Sequence, residues 1–436
     1  MFPNLAEKVK IEFWSLSQDK LARIFFYLLI LFLPTQLGKH FWPNFSFVYG
    51  IRLDYPSPTI YFTDIILVLI IVFSFKKTIK KLAKSKYLKL FLLYLLILLI
   101  SSFLAKNIYA SILGFIKLLE YSYLFSYIVL NYKKFDKEVL LGFLFIGIFF
   151  ESLLSFFQVF NNGSLGGALY YLGERSFTSQ TPGIANASIN GGLYLRPYGT
   201  FPHPNVLSFY FISATILTLS FYKKKYQKVL VFLSLVISTF TIFLALGRIS
   251  VFVWVFDLAI TLFYLTKNRY KFVNKKNSIL FFLPLFLLIV FIFQKNIYFL
   301  RLMLVSFSDE SFTQRVWLVN QAINIIKNNF LLGVGINNFY YYLTPYLQSS
   351  KIFFIQPVHN IYLLIFSETG LIGLLFFIYF CFKLFKKILY KNKKIKPYIL
   401  ILLITTFFLG FFDHYLLTIQ QGQILFTIVL GISAVE

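Results

Sequence analysis

Runs of about twenty apolar residues recur along this chain, and a run of that length matches the hydrocarbon thickness of a bilayer. KLFLLYLLILLISSF and LLGFLFIGIFFESLLSFFQVF are two of them. Such blocks leave little choice of fold, because backbone crossing lipid must satisfy its own hydrogen bonds, as a helix does. The composition agrees: 58% of the 436 residues are hydrophobic and 13% charged, against roughly 25% charged in soluble domains.

Twelve apolar segments are expected, near 22–38, 59–75, 88–105, 110–130, 139–160, 205–222, 229–246, 249–266, 278–294, 359–382, 397–412 and 416–433. The fourth carries Lys117 and Glu120 and is the least lipid-like. The fold class predicted is all-α, a single polytopic domain over 1–436 with about twelve transmembrane helices. The first run lacks a small-residue cleavage site and reads as a retained helix.

The net charge of +26 invites a nucleic-acid reading, but its distribution favours orientation in a membrane. With the N-terminus inside, the expected internal segments hold 30 of the 42 Lys and Arg, in clusters such as KKTIKKLAKSK and KKILYKNKKIK. That is the positive-inside pattern, repeated loop by loop, and it places both termini in the cytoplasm. The single cysteine, Cys381, excludes an internal disulfide and a cysteine-based metal site.

Two external loops, near 161–204 and 295–358, are too long to be mere connectors. The second contains SFTQRVWLVNQAINIIKNN, in which Phe312, Val316, Val319, Ala322, Ile323 and Ile326 share a helical face. Ser311 and Gln314 have capping-box spacing, which predicts a helix from Phe312, lying on or near the outer membrane surface. GVGINNF then ends it.

All four histidines, His40, His203, His359 and His414, fall on the external side, with sparse arginines: Arg52, Arg175, Arg196, Arg248, Arg301 and Arg315. These residue types suit phosphate binding and proton movement. Arg248 sits at a very short external turn in FLALGRISVFV, where simple snorkelling is the plain alternative. Arg315 falls in the first turn of the surface helix, where the dipole disfavours a cation unless an anion binds nearby, a solvated arginine on a polar face being the equal alternative. RPYGTFPHPN presents Arg196, Thr200, His203 and Asn205 at the interface, although Pro204 or Asn205 also suits a helix start. In QPVHNIYLLIFSETG, His359 sits at the N-terminal end of the tenth segment, where the dipole opposes an added positive charge and favours a proton acceptor, although taken alone the position suits a plain interfacial polar residue better. Glu368 lies about half a turn out of phase with His359 and is expected to brace another element, such as a basic group like Lys117. Clustered external carboxylates are not evident beyond the neighbours Asp309 and Glu310.

Taken in order, GTFPHPN, LGR at a tight turn, Arg315 with Trp317 ahead of GVGINNF, and HNIYLLIFSETGLIG resemble the O-antigen ligase and polymerase superfamily. The motifs cover roughly 196–380 and the topology covers the whole chain. The resemblance implies a bacterial inner-membrane glycosyltransferase with its site facing the periplasm. Such an enzyme moves a glycan from undecaprenyl diphosphate to an acceptor hydroxyl, without metal, cofactor or nucleotide sugar. It further implies His359 as the functional histidine and Arg248 and Arg315 as the paired arginines, with Arg196, Thr200, His203, Asn205 and Asn360 as substrate-binding candidates. The implied partners are the lipid-linked glycan, an acceptor lipid or glycan and membrane lipids, with no nucleic acid. One departure is Gly247 before Arg248, where many members carry serine. Ligase and polymerase chemistry both remain open. So does a lipid-linked glycan transporter, given the intramembrane carboxylates Glu120, Glu151 and Asp257; a structural scaffold ranks last.

Overall fold

The computed structural model describes residues 17–189, 192–222, 224, 226–267, 310–344, 354–391 and 397–435. The expected ninth crossing at 278–294 and residues Arg301 and Asp309 lie outside them.

The chain is mostly helical. Its helices are α1 (Gln18–Leu31), α2 (Phe62–Leu82), α3 (Leu88–Phe103), α4 (Ile108–Asn131), α5 (Lys137–Asn161), α6 (Pro204–Phe221), α7 (Gln227–Leu244) and α8 (Arg248–Lys267). After the undescribed stretch come α9 (Glu310–Asn328), α10 (Ile361–Lys391), α11 (Pro397–Leu409), the short α12 (Tyr415–Thr418) and α13 (Gln420–Ser433). Among the described residues, five helical stretches are long and apolar enough to cross a membrane: Ile108–Lys134, Lys137–Asn161, Pro204–Phe221, Gln227–Leu244 and Ile361–Leu389. Two shorter apolar helices, Leu88–Phe103 and Pro397–Leu409, accompany them.

Helix α6 is the centre of the bundle. All but one of its residues are buried, among them Phe209, Tyr210, Phe211 and Ile212. Its hydroxyls Ser208, Ser213, Thr215, Thr218 and Ser220 are buried too. Small hydroxylated residues let helices approach closely and bond locally or across the interface; Ser208 donates to the Pro204 carbonyl, and Thr215 meets Ser238 of α7 at 2.6 Å. Helix α3, by contrast, leaves Leu92, Leu93, Leu96 and Ile100 about half exposed. A contiguous apolar surface of that kind is stable against hydrocarbon, not water.

The segments between helices carry more strand than the all-α expectation allowed. β1 (Gly38–His40) pairs antiparallel with β4 (Thr59–Tyr61), β2 (Phe47–Val48) with β3 (Ile51–Arg52), and β5 (Asn186–Ile189) with β6 (Gly192–Leu195). These short hairpins are local covers on a helical frame.

A second core lies apart from the bundle. Leu318, Ala322 and Ile325 of α9 pack with Val334, Phe339, Tyr340, Ile355 and Val358 and with Val48 and Leu53. Helix α9 begins at Glu310, two residues before the expected start. Of the apolar stripe expected at the membrane surface, Phe312, Val316 and Ile323 are exposed and Ala322 is fully buried, while Leu318 and Ile325, outside that stripe, pack inward. The spacing identified an apolar stripe correctly but did not show that α9 has a second one.

Helix α10 kinks at Gly370, whose φ is +65°. There the chain after α9 comes into backbone contact: Val334 N–H donates to the Ser367 carbonyl at 3.0 Å, Gly335 N–H to the Glu368 carbonyl at 2.9 Å and Leu371 N–H to the Phe330 carbonyl at 2.8 Å. A Cβ on Gly333 would lie 2.4 Å from the Glu368 carbonyl carbon, and one on Gly370 2.2 Å from the Leu331 oxygen. Glu368 therefore does brace another element, but through the backbone amides of 337–339. Lys117 bonds instead with Asp64 at 2.7 Å and Glu120 at 2.9 Å.

Candidate functional site

The turn RPYGTFPHPN is seated by a buried polar stripe on α5. Gln158 Oε1 accepts the amides of Tyr198 and Gly199 at 2.9 and 2.8 Å, while its Nε2 donates to the Gly199 carbonyl and to Glu174, both at 2.9 Å. Glu151 accepts the Thr200 amide at 2.9 Å. The Thr200 hydroxyl lies 2.7 Å from both the Glu151 carboxylate and the Pro34 carbonyl. Gly199 has φ +57°, and a Cβ there would fall 2.2 Å from Glu151 Oε2, so the position demands glycine. Thr200 is 1% exposed and serves this seat.

The turn then starts α6. His203 Nδ1 accepts the Asn205 amide at 3.1 Å, capping the helix, and Pro204 takes the first helical position. Burial lowers the His203 pKa, with the Arg196 guanidinium and Arg315 acting in the same direction. Arg196 links two turns. Its Nε donates to the Ala245 carbonyl at 2.7 Å and its Nη2 to Asn205 Oδ1 at 2.8 Å. Ala245 opens the tight turn through Leu246, at φ +50°, to Gly247 and Arg248, the half-buried first residue of α8. A side chain at Gly247 would stand 3.2 Å from the Ser250 hydroxyl and 3.5 Å from Arg196 Nη2. A serine hydroxyl is thus present beside the turn, supplied one helical step later.

From Asn205 the network continues to a residue that sequence reasoning missed. Asn205 Nδ2 donates to Asp413 Oδ2 at 2.8 Å. Asp413 Oδ1 accepts the His414 amide at 2.8 Å and lies 3.4 Å from His359 Nδ1. That last contact is a close approach without the alignment of a good hydrogen bond. His359 and His414 face each other at 4.8 Å between ring centroids. His414 Nδ1 lies 2.6 Å from the Thr418 hydroxyl, and Tyr55 packs edge-on against the same imidazole. Burial by itself would raise the Asp413 pKa. The contact with His359, with His414 and His203 behind it, outweighs burial and holds the carboxylate well below its usual range. Burial pushes His414 down to about 3, with His359 and Arg315 adding to the effect.

His359 Nε2 lies 3.3 Å from Gln356 Oε1. Asn360 caps α10 by accepting the amides of Tyr362 and Leu363 at 2.9 and 3.0 Å, and its Nδ2 donates to the Phe411 carbonyl at 3.3 Å. The half-buried Arg315 on α9 acts electrostatically on both His203 and His414, which places its charge toward the same cluster. His40 stands elsewhere, 2.8 Å from Thr59 and stacked on Trp42.

Arg196, His203, Asn205, His359 and Asn360 thus converge, with Arg248 at the adjoining turn, and Thr200 supports them from behind. Asp413 and His414 complete the group. They sit in FFDHYLL between the last two apolar segments, and the only sequence signal was another external histidine with a carboxylate beside it. His359, Asp413 and His414 are also the one trio among the described residues with potential metal-ligand atoms all within 4.8 Å of one another.

The long apolar helices together with this polar, histidine- and arginine-bearing cluster define the class: an integral membrane protein with a concentrated polar site. Residues 233–378, about a third of the chain, match the family model described as O-antigen ligase, the family that the motifs between 196 and 380 resemble. Among curated proteins none matches the chain. The matched segment holds Arg248, Arg315, His359 and Asn360; the Arg196–Asn205 turn precedes it and Asp413 follows it.

Proposed function

We propose that the chain transfers a glycan from undecaprenyl diphosphate to an acceptor hydroxyl at the outer face of a bacterial inner membrane, in the manner of an O-antigen ligase. In this reading α1, α2, α8, α13 and segment 278–294 join the other apolar helices to make twelve crossings with both termini inside. The observation that carries the reading is the hydrogen-bonded line Arg196–Asn205–Asp413 ending against His359, within electrostatic reach of Arg315.

The chemistry follows from that line. With Nδ1–H of His359 turned toward Asp413, the acceptor hydroxyl takes the place of Gln356 Oε1 at Nε2, whose lone pair then receives its proton, as a general base requires. The acceptor oxygen forms its bond to the anomeric carbon as the bond from that carbon to the phosphate oxygen breaks. The electron pair leaves with the diphosphate, and Arg248 and Arg315 stabilise the departing charge through planar, bidentate contacts. One displacement inverts the anomeric configuration. Asn205 ties Arg196 to Asp413, joining the donor side of the site to the base. Polymerase chemistry differs only in supplying a second lipid-linked glycan as acceptor.

His359→Ala should lower transfer by about 10² to 10⁴ in membranes where the protein level is unchanged. Arg315→Lys should also be impaired, since lysine keeps the charge but loses the fork. Undiminished transfer by correctly inserted His359→Ala would remove the histidine from the mechanism.

A further inference from the structure

Helix α9 has three faces, not two. Turning about 100° per residue, it gathers Leu318, Ala322 and Ile325 on one sector, all 5% exposed or less and packed in the second core. Asn320, Asn324 and Asn328 form a polar exposed sector. Between these lie Val316 and Ile323, which are apolar yet 44% and 39% exposed. One side meets protein and one suits water; the third needs an apolar partner.

The end of the helix indicates which partner. Phe330 and Leu331, just beyond α9, are 49% and 61% exposed. The carbonyls of Phe330 and Leu331 accept the amides of Leu371 and Ile372, the first residues of the apolar half of α10 beyond its kink. From that point α10 exposes Ile372, Leu375 and Ile378, as a lipid-facing span does. The exposed apolar face of α9 therefore leads, past the exposed Lys327 at its edge, to the lipid-facing surface of a membrane span through Phe330 and Leu331.

We infer that Val316, Ile323, Phe330 and Leu331 dip into the outer leaflet of the bilayer, so that α9 lies in the interface with its asparagines in water. Amphipathic interfacial helices immerse one face in this way. The placement has a consequence for Arg315. On the helical wheel it projects between the protein-packed sector and the lipid sector, the boundary along which a lipid-borne headgroup slides toward the cluster around His359. Arg315 is then held at headgroup depth, where it meets a membrane-anchored diphosphate sideways, and not a soluble one from above. This role for Arg315 rests on the transfer reading; the lipid contact of α9 does not.

The test uses the full chain in nanodiscs, with Cys381→Ala as background and nitroxide labels on single cysteines at Val316, Ile323 and Leu331 and, for comparison, at Asn320 and Asn324. Collision with oxygen, which concentrates in lipid, is compared with collision with a water-soluble nickel chelate. Labels at 316, 323 and 331 should favour oxygen, and those at 320 and 324 the chelate. Equal chelate access on both faces would overturn the inference. So would shielding of 316 and 323 from both agents, which would mean that protein covers the face, whether the segment 268–309 or a second copy. Activity plays no part in this readout, so failure of the transfer reading would leave it intact.

Discussion

Asp413 is 7% exposed, and the approach of His359 holds its carboxyl well below the usual range against burial, with the Asn205 amide donating to Oδ2. If it orients His359, Asp413→Asn should cut kcat by about 10² or more while KM for the lipid-linked donor changes little; a loss confined to KM would point to a binding role. The two flanking imidazoles make a separate, thermodynamic prediction. His203 and His414 both have folded pKa values lowered to about 3 from 6.5. Below about pH 6.5 the unfolded chain takes up protons that the folded chain refuses, so stability declines with falling pH across that window. Asp413 adds nothing there, since its depressed pKa matters only at more acid pH. The melting temperature in detergent should therefore fall between about pH 7 and pH 5, and His414→Gln should flatten the slope. An unchanged slope would contradict the buried neutral state of His414.

At the scale of elements, the glycines of GVGINNF and α10 form one joint. Gly333 and Gly370 both have positive φ, 69° and 65°, and each occupies the space where a Cβ on the other's strand of chain would collide. Gly370→Ala should destabilise by about 1–3 kcal/mol from backbone strain alone, with the clash added. It should lower transfer as well, because α9 and α10 carry Arg315 and the segment after His359. Thermal unfolding with an activity assay would check this; a wild-type melting temperature would mean that the joint relaxes freely. The sequence announced the helix, the glycine break and the histidine at the head of α10, since each is a local pattern. It did not announce which stripe of α9 packs inward, because helical spacing fits two apolar stripes equally and tertiary contacts choose between them. Asp413 was hidden for a similar reason: fifty-three residues separate it from His359, and only folding brings them together.

For the whole molecule, the proposed orientation rests on the alternation of basic and arginine-sparse connecting segments in the sequence, a property of the entire chain that no single helix carries. The apolar segments were legible for the same physical reason that makes them span: length and lipid contact leave their composition little freedom. Single cysteines at Ser85 and Ser164, in the Cys381→Ala background, should label oppositely with a membrane-impermeant maleimide on intact spheroplasts, 164 reacting and 85 protected. Labelling at 85 would invert the proposed topology and put the cluster around His359 on the wrong face for its substrate. The most direct test of the central claim uses purified protein in nanodiscs, given undecaprenyl-diphosphate-linked glycan and an acceptor, either lipid A core or a second lipid-linked glycan, with no ion gradient. The account predicts a new glycosidic bond of inverted anomeric configuration and release of undecaprenyl diphosphate in equal amount, abolished in Asp413→Asn and His359→Ala. A product that retains the anomeric configuration, or equal turnover in both variants, would contradict it.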